Sequence, residues 1–215
     1  MTAVTPSVEL VRPARTAGLR LFRLHLISRQ ALSAMAALTA CAVLLRVALE
    51  LRWIQGDGSS TAQQMLLLIE CGAASVVAVA ARNPFGESER TTGHWLPLLR
   101  LGAVLLLGGA AVGVLVLGAV GTRLPGGDPV VLRDVAGLVG VGLLTAAVLG
   151  GALAWAGTLA YTVVAEFALL EGWRTPWMWA GRPAHDLGGW LCAGLDFAAG
   201  TAVVAVRGPR DTGVE

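Results

Sequence analysis

Six long apolar runs, separated by short polar breaks, fill residues 31 to 207 of this 215-residue chain. A helix needs about 20 mainly apolar residues to cross the hydrocarbon layer of a bilayer. Backbone polar groups must be satisfied inside that layer, and a helix satisfies them within one segment. The expected fold is therefore all-α: a polytopic membrane protein with six transmembrane helices. The runs are Ala31 to Trp53, Gln64 to Ala81, Leu98 to Val120, Leu132 to Leu149, Ala152 to Leu170 and Leu187 to Val206. The fourth and fifth come from one stretch, residues 135 to 170, too long for a single span. It is divided at Gly150-Gly151, where two glycines weaken a helix and permit a tight turn. Charged residues are 14% of the chain, against about 25% in soluble domains, too few to cover a globule in water. The net charge of +2 argues against a nucleic-acid partner.

Arginine placement gives an orientation. Arg12, Arg15, Arg20, Arg23, Arg29, Arg82, Arg90, Arg100, Arg207 and Arg210 fall on one side of the six runs. Arg52, Arg123, Arg133, Arg174 and Arg182 fall on the other. The richer side is expected to be cytoplasmic and to hold both termini, with the chain in a bacterial plasma membrane. Residues 1–30 read as a cytoplasmic segment. Leu19, Phe22, Leu26 and Ile27 recur there at helical spacing beside Arg20 and Arg23, the pattern of an amphipathic helix lying in the interface. Residues 31–207 form the six-helix domain and 208–215 a cytoplasmic tail. The arginines scattered through the first 30 residues predict no cleavable signal peptide. Cys41, Cys71 and Cys192 lie in apolar runs without CxxC spacing and read as packed small hydrophobes.

One polar stretch stands out between the two ends: RNPFGESERTTGHW, residues 82 to 95, between the second and third runs. Asn83-Pro84 ends the preceding helix, because a residue before proline avoids the helical region. Glu87, Ser88, Glu89 and Arg90 can then form a short surface helix that closes at Gly93. Mixed charge on a cytoplasmic connection suits a docking element for a soluble partner.

These features together resemble the permease subunits of ABC transporters, in the type-2 exporter class, and in particular short actinobacterial-type permeases. The resemblance rests on the arginine-flanked amphipathic helix, the six spans, the E-x-E-R-x-x-G segment and a Trp/Pro-rich segment before the last span. It implies that 82–96 is a coupling segment, with Glu87, Ser88, Glu89, Arg90 and Gly93 facing an ATPase. It implies that 171–186 forms external re-entrant helices. It also implies a second permease subunit, identical or paralogous, and ATP with Mg bound on a partner P-loop ATPase. The chain has no GxxxxGK[ST] loop to cradle ATP itself, so no cofactor is expected on it.

Charges inside apolar runs are costly and usually face protein or water. Glu70 in the second run and Asp196 in the sixth are candidates for a substrate path. Arg46 lies near the outer end of the first run and is placed to pair with Glu70. Glu166 lies close enough to the outer boundary to reach outward. Trp173, Trp177 and Trp179, with Trp190, gather at the external end of the last two spans. They read as an interfacial aromatic belt or as an external gate broken into pieces by Pro176 and Pro183. Gly109 and Gly113 form GxxxG, and further glycines occupy the third and fourth runs. Packing within the chain is the expected use. An integral membrane scaffold, sensor or immunity protein with another cytoplasmic partner is the alternative. An intramembrane enzyme would use Glu70, Glu166 or Asp196, but no HExxH or GxSxG motif accompanies them, so the chain is expected to be non-catalytic.

Overall fold

The computed structural model describes residues 31–51, 60–81, 96–173, 175 and 177–207. Among these residues the structure is helical, without a strand. The long helices are α1 (Ala31–Glu50), α2 (Ser60–Ala80), α3 (Leu96–Gly118), α4 (Asp128–Leu149), α5 (Ala154–Glu171) and α6 (Leu187–Arg207). Two short 3-10 turns, Gly151–Leu153 and Trp179–Gly181, precede α5 and α6. All six long helices are long and apolar enough to cross a bilayer. The amphipathic helix expected within residues 1–30, the coupling segment with Glu87, Ser88, Glu89, Arg90 and Gly93, and the tail 208–215 lie outside the described residues.

Two helices begin four residues earlier than expected, at Ser60 and Asp128. For α4 the reason is local. Gly126 and Gly127 adopt φ of 75° and 80°, a turn open to glycine, and Pro129 occupies the first helical turn, where its missing N–H costs nothing. The break between α4 and α5 falls at Gly150, with φ 98°, and the 3-10 turn follows directly.

Polarity is distributed inside out. Leu105, Leu117, Val148, Phe167, Leu191 and Leu195 point outward, whereas Glu70, Arg133, Asp134, Thr158, Thr162 and Thr201 are buried. Several threonine hydroxyls donate to the carbonyl four residues back, as Thr145 does to Val141 and Thr201 to Phe197. Such bonds satisfy a hydroxyl within its own helix. The centre of the bundle is α2 and α4, with 56% and 61% of their apolar stretches buried, against 28% to 33% for the other four helices.

α4 packs most extensively on α6. Glycine permits the approach: a Cβ at Gly140 would sit 2.5 Å from the Asp196 carbonyl oxygen, and one at Gly200 would sit 2.5 Å from the Gly140 carbonyl oxygen. Gly142 likewise admits Ala78 and Thr158. The α3 glycines behave differently from expectation. A Cβ at Gly108, Gly109 or Gly113 would meet nothing within 4 Å, so the GxxxG pair takes no part in packing within the described chain. Their helix turns its small face outward and buries Val104, Leu107, Ala111 and Leu115 instead.

Candidate functional site

The ends of α1, α3 and α5 and the starts of α2, α4 and α6 gather at one end of the bundle, here called distal. Four long-range hydrogen bonds help tie it together. The Arg46 guanidinium donates to the Val120 carbonyl at 2.8 Å, Gln64 Nε2 to the Glu166 carbonyl at 3.4 Å, and Arg133 Nη1 to the carbonyls of Arg182 and Pro183 at 3.1 and 3.0 Å. At this end lies a cavity of about 500 Å³, walled by α2, by the turn before α4 with the first turns of α4, and by residues 180–186.

Arg133 and Asp134 form its charged wall. They are adjacent in sequence and both buried, and Arg133 Nε donates to Asp134 Oδ1 at 2.8 Å. A buried pair holds only when its remaining donors and acceptors find partners. Here the two carbonyls from the segment before α6 take up Arg133 Nη1, while Nη2 has no hydrogen-bond partner among the described residues. Arg133 thus fastens the segment before α6 to α4.

That segment is itself ordered by a local clamp. Arg182 reaches Asp186 with Nη2 2.6 Å from Oδ1 and Nε 2.6 Å from Oδ2, and the Gly189 amide donates to Asp186 Oδ2 at 2.6 Å. Asp186 stands immediately before α6 and caps its first turn. The Arg182 guanidinium, then the Gly189 amide, hold its carboxyl below the usual aspartate range. Trp190 Nε1 closes the segment by donating to the Ala184 carbonyl at 2.8 Å.

Glu70, in the middle of α2, lines the same cavity. It is fully buried, and neither carboxylate oxygen has a hydrogen-bond partner among the described residues. The expected pair with Arg46 is not formed. Arg46 bonds Glu50 in its own helix at 2.8 Å and the Val120 carbonyl, on the exposed side of α1. The neighbouring charges of Glu70 come from α4 instead. Asp196 is half-buried in α6, where its backbone meets Gly140, and it is not among the residues that line the cavity. Glu166 is partly buried, and its Oε1 has no hydrogen-bond partner among the described residues.

The tryptophans separate into two kinds. Trp173 and Trp177 are exposed, at 45% and 52%. Trp179 is buried at 2%, stacked on Tyr161 with ring centroids 4.1 Å apart and planes 12° apart. Its indole occupies the space a Cβ at Gly137 would need, 2.5 Å from the ring. Trp179 therefore anchors the segment in the core and is no part of an exposed belt. Arg133, Asp134 and Tyr161 were not singled out as site residues from the sequence. The signal for the first two was the Asp-Pro at 128–129, which starts α4 early and carries the Arg-Asp pair into the bundle.

Compared with known proteins, the chain matches no family model, no curated protein and no solved structure.

Proposed function

We propose that this chain is the membrane permease subunit of an ATP-driven exporter. It forms half of a translocation path with a second copy or a paralogue, and it couples through residues 82–96 to a separate P-loop ATPase that carries ATP and Mg. In this reading both termini and the coupling segment are cytoplasmic and the distal end faces out. The observation that supports it is the cavity between α2 and α4, walled on its distal side by the segment before α6 and reaching a carboxylate in the middle of a span. Bilayer cores tolerate a buried carboxylate at a cost of a few kcal/mol, and such groups mark pathways for polar or charged cargo. A helix bundle serving only as a scaffold gains nothing from that cost. The Arg133 tether to residues 182 and 183 supplies a mechanical link: a shift of α4 carries the external segment with it. The other half of the mechanism is a push from below on the charged segment after α2.

The test is purification of the tagged chain from its own cells in mild detergent. A P-loop ATPase is expected to accompany it, and the chain is expected to stimulate that ATPase. Replacing Glu87 and Glu89 with Ala should abolish the stimulation while leaving membrane insertion unchanged. Purification without any ATPase, or undiminished stimulation by the double variant, overturns the reading.

A further inference from the structure

We propose that the distal cavity binds an organic ammonium that also carries a hydrogen-bond acceptor, with Glu70 as its counter-charge. The cavity is lined by five charged side chains among the described residues: Glu70, Asp134, Asp186, Arg133 and Arg182. Four of them neutralise one another, Arg133 with Asp134 and Arg182 with Asp186. Glu70 is left without an ion-pair partner among the described residues, so the wall holds one acidic side chain in excess. The unmet hydrogen-bonding capacity is mostly acceptor. Both Glu70 oxygens are acceptors without a donor, and Arg133 Nη2 is a donor without an acceptor. All three atoms are buried, where an unmet polar group is costly and an unmet charge more so.

A ligand that completes this wall brings N–H donors and a positive charge to Glu70, and a neutral acceptor to Arg133. A primary or secondary amine bearing a hydroxyl or ether oxygen does both. A bare metal ion fits poorly, because no three His, Cys, Asp or Glu side chains converge among the described residues to enclose one. The rest of the wall, with Leu66, Leu67 and Val130, offers apolar surface for the body of such a molecule. As a substrate site the cavity rests on the exporter reading; as a binding site within one chain it does not.

Binding is measured on the purified full chain in detergent, with no ATPase present. The probes are propranolol, an aryloxy amino alcohol, and the glycol in which a hydroxyl replaces its amine. The amine should bind saturably and at least about tenfold more tightly than the glycol, the fold-change of one charge-assisted hydrogen bond. Glu70→Gln should reduce the amine to the affinity of the glycol and leave the glycol unchanged, whereas Glu70→Asp should keep the preference. Ala184→Phe shrinks the cavity without altering Glu70 and should abolish saturable binding even if the Glu70 variants fail to fold. Equal affinity of the two probes for the unmodified chain overturns the proposal. So does an amine preference that survives Glu70→Gln, or saturable binding that survives Ala184→Phe. A chain that binds the amine but brings down no ATPase upholds the site and ends the exporter reading. A chain that couples to an ATPase and shows no preference does the reverse.

Discussion

Arg133 and Asp134 are the residues on which the distal end turns, because among the described residues each is the other's only charged partner at hydrogen-bond distance in a water-poor setting. Breaking such a pair strands a charge, which costs about 3–5 kcal/mol, more than the pair itself contributes. Asp134→Ala should therefore lower the thermal unfolding midpoint of the purified chain sharply. Arg133→Met with Asp134→Leu should recover much of that loss, and a double variant no better than the single one counts against the argument. Asp186 offers a test by pH. Its folded carboxyl lies below the ordinary aspartate value of about 3.9. Its contribution is thus complete above that value and fades as pH falls through the lower folded one. The unmodified chain should outlast Asp186→Asn at neutral pH, with the gap closing below about pH 4; a gap independent of pH refutes the clamp. Glu70 was legible as a charge in an apolar run, but its surroundings were not. Sequence order suggested a partner on the preceding span, whereas the wall around it comes from α4, more than 60 residues further along, where only a fold can bring it.

At the scale of elements, the α4–α6 seam depends on bare backbone. Gly140→Ala pushes a methyl group against the Asp196 carbonyl, where no side chain can yield, and should cost about 1–3 kcal/mol or more. Gly109→Ala on α3 meets open space and should stay within about 0.5 kcal/mol. Thermal unfolding of both variants in one detergent checks the contrast, and equal effects would refute it. Number and kind of helix were legible because each apolar run matches a bilayer width, and Gly150 was legible as a break because only glycine sits easily at its φ of 98°. Which glycines pack was not legible. GxxxG on α3 and Gly137, Gly140 and Gly142 on α4 look alike in one dimension, and only neighbours decide their use.

For the whole molecule, orientation is the property on which the functional reading depends. In intact cells, with Cys41, Cys71 and Cys192 replaced by Ala, an impermeant thiol reagent should label Arg123→Cys, in the exposed turn between α3 and α4, and should spare Ser88→Cys. The opposite pattern inverts the chain and removes the ATPase from reach. The tether between Arg133 and the carbonyls of residues 182 and 183 spans about 50 positions of sequence. On a ribosome this separation becomes a delay. A nascent chain that has delivered α4 but not yet residue 182 holds a guanidinium with one neighbour and no backbone acceptors, poorly suited to oil. The fourth helix can settle fully only after the segment before α6 has emerged, so the two halves of the distal end mature together.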